Sequence, residues 1–228
     1  FPITIDPDVQ TSLDSSQVQD VYVSSANPSA NYRWSTRLNI GYESSKGTNR
    51  IYIKFPNLPT LGSADMVVYA SLNLACVSSS NPDPYDKTRL DVHQVTQDWT
   101  DSTITWNNRA EYNEDKIESI TFPVPNSYNT CDITWLAKQW YNGAPNYGCV
   151  VKAFNESTGY SQYRSVDDSW YANQHPFASI VYINTAGLEN TWTYHSQSIG
   201  RAGTVSVNDY NGNLVLTHGD VSIASGVM

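Results

Sequence analysis

Aromatic residues that lie in turns beside charged side chains are the strongest candidates for chemistry in this sequence. Trp34 follows Arg33 between two strand-like runs, and Trp170-Tyr171 closely follows Asp167. One face of a sugar ring consists of C–H groups that pack on an aromatic plane, and its hydroxyls pair with charged and amide groups at the edges. The pattern therefore predicts a carbohydrate-binding surface built from loops. The predicted ligand-binding residues are Arg33, Trp34, Arg37, Tyr85, Asp167, Trp170 and Tyr171.

The same loop aromatics admit a second interpretation, because such residues also fold back to close the ends of a β domain. An aromatic face open to water would favour ligand binding, and a buried one would favour a purely structural role. Trp99 and Trp106, beside strand-like residues, and Trp140, on a helical stripe, are predicted to pack in the core.

No catalytic motif is recognisable. The sequence has no G-x-S-x-G elbow, no H-E-x-x-H and no glycine loop for phosphate, and its four histidines lack metal-ligand spacing. The adjacent carboxylates Glu114-Asp115 and Asp167-Asp168 would point to opposite faces of a strand, so neither pair would converge on one bond. We therefore predict that the chain is not an enzyme.

Composition excludes several classes of partner. The formal net charge is -9 with only 13 Lys and Arg, so the basic footprint that nucleic acid requires is missing. No apolar run is long enough to span a bilayer, and Phe1–Asp6 lacks a signal-peptide pattern, so we expect any targeting signal to lie upstream. The 3 cysteines are an odd number without a C-x-x-C pair and are predicted to be buried and free.

Short strands separated by turns recur over the first 185 positions. Alternating β-branched and aromatic residues are followed by turn-formers such as Asn27-Pro28-Ser29 and Lys46-Gly47-Thr48-Asn49. We predict an all-β fold, an antiparallel jelly-roll-type β-sandwich. One short helix is predicted from the spacing of Ile133, Leu136, Ala137 and Trp140, with Thr134 as its cap and Gly143 as its left-handed terminator.

The texture changes near residue 185. Asn211-Gly212 is a tight-turn signal, and Leu214-Val215-Leu216 would be the return strand of a C-terminal β-hairpin. We therefore predict a sandwich domain over 1–185 and a linker with a hairpin over 186–228.

The first part resembles the bacterial β-sandwich domain family named for its DNRLRE motif, which is related to carbohydrate-binding modules. The resemblance is carried over about residues 18–183 by five segments, which are Asp20-Val21-Tyr22-Val23, Arg50 to Phe55, Asp98-Trp99-Thr100, Ile104 to Asn108 and Trp140 to Gly143. It implies a jelly-roll sandwich. Related modules often hold a structural calcium near the first strand, which implies Asp20 as a metal ligand.

The second part, through Asp209-Tyr210-Asn211-Gly212-Asn213-Leu214, resembles a repeat of the Rhs or YD-repeat proteins, with Tyr and Asp in swapped order. The two resemblances together imply a non-catalytic, carbohydrate-binding module on a large secreted or wall-attached bacterial protein, beside flanking modules of the same polypeptide. The alternative is a spacer or cap of a repeat shell without a ligand of its own.

Overall fold

The computed structural model describes residues 8–11, 17–63, 65–80, 89–120, 124–184 and 192–217. Tyr85, one of the predicted binding residues, lies outside these residues. The described residues form β-strands, one α-helix and two 3-10 helices. No helix among them is long and apolar enough to cross a membrane.

The larger compact unit comprises Asp8–Thr60 and Val67–Val181, and the described part of the smaller one lies within Leu61–Met66 and Tyr182–Met228. Eleven described strands belong to one continuous sheet. They are β1 (Asp8–Gln10), β2 (Gln19–Ser24), β3 (Arg37–Glu43), β4 (Gly47–Lys54), β5 (Asp65–Ser79), β6 (Leu90–Val95), β7 (Tyr112–Ile120), β8 (Ser127–Asp132), β9 (Cys149–Ala153), β10 (Tyr160–Arg164) and β11 (Phe177–Asn184).

The sheet is antiparallel and curls into a half-barrel in the order β1-β11-β5-β10-β3-β4-β9-β6-β7, with β2 paired to β4 and β8 to β5. The β3–β4 hairpin lies in the middle of this order, because β3 also pairs with β10 and β4 also pairs with β2 and β9. The predicted all-β, antiparallel fold with one short helix is confirmed.

Strand β4 is buried on both of its faces. Ile51, Tyr52 and Ile53 are each 0% exposed, although a sheet with one wet face would leave every second residue accessible. The second face is covered by residues 96–111, which connect β6 to β7 and which we call the 96–111 loop. Trp99, Ile104 and Ala110 of this loop pack with Val21, Val23, Tyr52, Val95 and Val150 in one apolar cluster.

Polar contacts hold the 96–111 loop against the sheet. The Tyr52 hydroxyl donates to the Ala110 carbonyl at 2.8 Å, and the Trp99 indole donates to the Tyr147 carbonyl at 2.8 Å. The Lys54 ammonium donates to the Trp99 carbonyl at 2.8 Å and to the Asp98 carboxylate at 3.0 Å. Trp99 is therefore a core residue, as predicted.

Helix α1 (Thr134–Tyr141) follows β8, and its residues Leu136, Ala137 and Trp140 are buried, which confirms the predicted apolar stripe. Gly143 has φ +91°, the left-handed conformation expected past a helix end. The prediction that Thr134 caps the helix is wrong. Thr134 is the first helical residue, its backbone N–H donates to the Asp132 carboxylate, and its hydroxyl accepts from the Ala70 N–H.

Cys76, Cys131 and Cys149 are buried and free, which confirms the expectation from their number and spacing. Burial raises the pKa of the Cys131 thiol to about 12, and that of Cys76 to about 11. The thiols are therefore protonated and act as small apolar core residues.

A small antiparallel sheet lies at the C-terminal end, with the order β12-β13-β14. Its strands are β12 (Tyr194–Ser198), β13 (Thr204–Asn208) and β14 (Leu214–Thr217). The expected hairpin is β13–β14, turning at Gly212 with φ +72°, and β12 adds a third strand on its other edge. The sequence of β12 is almost entirely polar, Tyr-His-Ser-Gln-Ser, which hides it from a search for alternating apolar residues.

Candidate functional site

Five of the predicted binding residues come from two connections at the same end of β3 and β10, and Arg37 is the first residue of β3. Arg33 and Trp34 lie in the β2–β3 connection, and Asp167, Trp170 and Tyr171 lie in the β10–β11 connection, where Ser169–Gln174 forms a 3-10 helix. The two connections are adjacent because Arg37 pairs with Arg164 across the ladder and the Ser165 N–H donates to the Thr36 carbonyl at 3.3 Å. We call Arg33, Trp34, Arg37, Asp167, Trp170 and Tyr171 the Trp34–Trp170 surface.

The aromatic side chains of this surface are open to solvent. Trp170 is 91% exposed, Trp34 74% and Tyr171 42%. Two guanidinium groups cover aromatic planes, Arg33 at 4.4 Å from the Trp34 ring centroid and Arg164 at 3.5 Å from that of Tyr171. Such cation–π contacts orient the rings. Trp34 and Trp170 therefore do not serve to fill the core.

A buried carboxylate connects the two halves of the surface. Asp168 accepts hydrogen bonds from the guanidinium groups of Arg37 and Arg164, the latter at 2.6 Å. Burial opposes ionisation of Asp168, but the two guanidinium groups outweigh it and lower the pKa of this carboxyl. The β10–β11 connection is thereby fixed to β3, which holds Trp170 and Tyr171 in place.

Asp167 and Arg33 complete the polar rim. Partial burial raises the pKa of Asp167, opposed by the nearby Arg33 charge. Arg33 also forms a salt bridge of 3.3 Å with Asp101 of the 96–111 loop, and Asn31 donates to the carbonyls of Asp101 and Ile104 at 2.7 Å each. Through these contacts the 96–111 loop holds the β2–β3 connection in place, in addition to covering β4.

Asp20 lies directly beneath the β10–β11 connection, only 2% exposed. Its two carboxylate oxygens accept from the Ser165 hydroxyl and the Val166 N–H, both at 2.8 Å. Burial raises the pKa of Asp20 to about 7 despite these hydrogen bonds.

The described residues contain no group of three or more His, Cys, Asp or Glu side chains placed to hold a metal ion. Calcium requires six to eight oxygen ligands, and both oxygens of Asp20 already accept hydrogen bonds within the protein. This arrangement suits a structural acceptor better than a calcium ligand. A metal at Asp20 stays a prediction, to be tested by thermal unfolding with calcium and with chelator.

A second cluster of aromatic and cationic residues lies where the end of the 96–111 loop meets β4 and β7, around a cavity of about 620 Å³ that we call the Arg50 cavity. It is lined by Arg50, Arg109, Ala110, Glu111, Tyr112 and Glu114. Arg50 forms a two-pronged ion pair with Glu156, at 2.7 and 2.8 Å, and its guanidinium carbon is 5.2 Å from the Trp106 ring centroid. That of Arg109 is 4.6 Å from the same ring.

Sequence reasoning assigned Trp106 to the core and did not identify this cavity. Trp106 is only half-buried and packs on the edge of the apolar cluster. The available signal was the alternation in β4, which sets Arg50 on the same face as Tyr52 and Lys54.

Two relatives among characterised proteins are both far longer than this chain. This chain is 26% identical over 211 residues to the tRNA nuclease WapA of Bacillus subtilis strain 168. It is also 26% identical over 209 residues to the tRNA3(Ser)-specific nuclease WapA of Bacillus spizizenii. Each alignment covers 86% of this chain but 8% of the relative. The alignments therefore concern one small segment of those proteins.

The family comparison covers most of the larger unit. Residues 11–175 match carbohydrate-binding module family 96, a span that runs from β2 through β10 and includes every residue of the Trp34–Trp170 surface. Because this match extends over well more than half of the sequence, the chain belongs to carbohydrate-binding module family 96.

Proposed function

We propose that this domain binds a carbohydrate non-catalytically through the Trp34–Trp170 surface. The observation that carries the proposal is the exposure of Trp170 at 91% and Trp34 at 74% on two connections that lie side by side. Large aromatic planes that stay in water on a well-packed β domain are typical of a recognition surface.

The surface offers the groups that a sugar requires. The indole planes can pack against the C–H faces of pyranose rings. Asp167 is a half-buried acceptor near Arg33, and the partly exposed side chains of Arg33 and Arg37 supply donors. Because the guanidinium groups of Arg37 and Arg164 are paired with Asp168 and that of Arg33 with Asp101, positive charge is largely compensated here. A neutral glycan therefore suits this surface better than an acidic one, which the formal net charge of -9 would also repel.

Affinity at a single open surface of this kind is expected to be weak, about micromolar to millimolar, or about -8 to -4 kcal/mol. Repetition of such domains, or other binding modules on the same polypeptide, would raise the affinity of the whole protein for a polymer. We accordingly propose that the domain holds a large secreted or surface-attached bacterial protein near a glycan. The far greater length of the relatives supports this context.

The second candidate function is a spacer or cap without a ligand. It is favoured by the β13–β14 hairpin, whose sequence resembles a YD repeat. In that case the exposed indoles would contribute nothing measurable to any interaction with a sugar.

The experiment is a glycan-array and polysaccharide pull-down screen of the protein with calcium and with chelator, alongside Trp34→Ala and Trp170→Ala. We expect saturable binding to at least one glycan class, weakened roughly tenfold or more in either variant because a stacking platform is removed. The matched control is Tyr210→Ala, which removes an aromatic ring that is 83% exposed in the small C-terminal sheet and should leave binding unchanged. Folded protein that binds nothing across the panel would favour the spacer.

A further inference from the structure

Trp135 stands out because it is the exposed tryptophan of a helix whose other large apolar residues are buried. Its side chain is 52% exposed, whereas Leu136 and Trp140 of the same helix are buried at 0% and 7%. Helical geometry places Trp135 off the buried stripe. It belongs to neither the Trp34–Trp170 surface nor the Arg50 cavity, so the features described above do not explain it.

Two hollows lie on either side of this indole, between α1 and β7. One measures about 380 Å³ and the other about 300 Å³, at the lower end of the range of roughly 300–1,000 Å³ for small-ligand sites. Ile117 and Trp135 line both hollows, so the two share an apolar ridge. We call the whole depression the Trp135 groove. Its further lining residues are Glu118, Asp132, Thr134 and Lys138 on one side and Gln94, Asn113, Asp115 and Lys116 on the other.

Several polar groups of the groove are available to a ligand. Among the described residues, the side chains of Gln94, Asp115 and Lys138 make no hydrogen bond or ion pair with the protein. Asn113 uses its carbonyl oxygen to accept from the Asp115 N–H, which leaves its amide group as a donor. Donors and acceptors therefore flank the apolar ridge on both sides, the arrangement that suits the hydroxyl edges and C–H faces of a sugar.

We propose that the Trp135 groove is a second carbohydrate-binding site, selective for a neutral oligosaccharide chain. Three carboxylates, those of Asp115, Glu118 and Asp132, line it against two lysines, Lys116 and Lys138, so an anionic chain would meet net repulsion. The groove shares no residue with the Trp34–Trp170 surface. Its two hollows would accommodate successive sugar units on both sides of the indole.

The test follows the indole N–H signals of the ¹⁵N-labelled protein, which has 7 tryptophans, during titration with cellohexaose, laminarihexaose, mannohexaose and xylohexaose. The Trp135 signal is assigned by its loss in Trp135→Ala. We expect at least one hexasaccharide to shift this signal saturably, and to do so equally in the double variant Trp34→Ala/Trp170→Ala. In Asp115→Ala, which leaves the indole in place, the same hexasaccharide should bind more weakly by roughly threefold or more.

The proposal is overturned if none of the four hexasaccharides moves the Trp135 signal. It is also overturned if the double variant abolishes that shift, because the groove would then not bind independently. The converse result, a Trp135 shift with unaffected Trp34 and Trp170 signals, would support the groove and count against the Trp34–Trp170 surface. The two proposals can therefore fail separately.

Discussion

At the scale of single residues, Asp20 shows how one buried carboxylate can join two elements of the fold. It lies at the start of β2, under the β10–β11 connection, with both oxygens directed at Ser165 and Val166. Those hydrogen bonds join the strand to the connection that carries Trp170. The cost is a carboxyl group removed from water, which disfavours its charged form.

Stability should therefore fall as Asp20 ionises. The pKa of Asp20 rises from 3.8 to about 7 on folding. Its contribution to the free energy of unfolding is therefore fully present below about pH 4 and is lost as the pH rises through 7. Asp20→Asn preserves the shape and both hydrogen bonds if the Ser165 hydroxyl turns to accept. At pH 8 we expect the free energy of unfolding of the variant to exceed that of the parent by on the order of 1 kcal/mol or more. The difference should shrink or reverse at pH 5.

Urea unfolding at pH 5, 6, 7 and 8 measures this difference. The control is Asp115→Asn, at an exposed carboxylate without a hydrogen-bond or ion-pair partner among the described residues, which should change the free energy of unfolding by no more than about 0.5 kcal/mol. A pH-independent difference for Asp20→Asn would mean that Asp20 is ionised throughout, and would reopen the case for a bound cation.

At the scale of elements, the fold depends on close approach between strands and connections. Gly148, just before β9, has φ +74°, and a Cβ there would lie 2.1 Å from the Ile53 carbonyl oxygen and 2.8 Å from Lys54 Cα. Its carbonyl also accepts from the Val95 N–H at 3.2 Å. The three strands β4, β9 and β6 therefore meet at a point that only glycine fits.

Gly148→Ala should destabilise the domain severely, by about 3 kcal/mol or more, because backbone atoms of β4 cannot move without breaking the ladder. The matched control is Gly143→Ala. Gly143 has a similar φ of +91° but no atom within 4 Å of a Cβ, so it should cost only about 1–2 kcal/mol for the left-handed conformation. Thermal and urea unfolding of both variants provide the measurement. Equal losses would show that conformation alone, and not the contact with Ile53, restricts Gly148.

Local patterns predicted most of the elements but not the way they cover one another. The stripe from Ile133 to Trp140 and the Asn211-Gly212 turn depend on neighbours in sequence, and both are found in the structure. The 96–111 loop is different, because its packing on Tyr52 and Val21 joins residues far apart in the chain. The same applies to Asp168, whose partners include Arg37 from another strand.

The candidate surface shows a similar division. Residue types in turns predicted Trp34 and Trp170 as platforms, and the structure places both in water. Whether a loop aromatic points outward depends on contacts such as the salt bridge between Arg33 and Asp101. This contact joins residues far apart in the chain, so it cannot be identified from a single sequence. The helical spacing identified only the buried face of α1, so it did not predict a role for Trp135. The two hollows beside Trp135 form only where α1 meets β7.

At the scale of the whole molecule, the predicted boundary near residue 185 can be tested by truncation. The ladders of the curled sheet run within residues 8–184, and the strands of the small sheet, 194–217, pair with one another. Strand β11, which pairs with β1 and β5, ends at Asn184 and would be retained in a chain of residues 1–185. Loss of the small sheet should therefore leave every ladder of the larger one intact.

We expect the chain of residues 1–185 to unfold cooperatively with a Tm within roughly 4 °C of the full chain, a change that corresponds to about 1–2 kcal/mol for a domain of this size. Calorimetry of the two chains measures the difference. Carbohydrate binding should also be retained, because both candidate sites lie before residue 185. A Tm lower by 10 °C or more, or a chain that no longer folds, would mean that the C-terminal residues complete the sandwich and that the boundary is wrong. In that event the hairpin would belong to the domain before it. Its resemblance to a YD repeat would then no longer indicate the start of a separate repeat region.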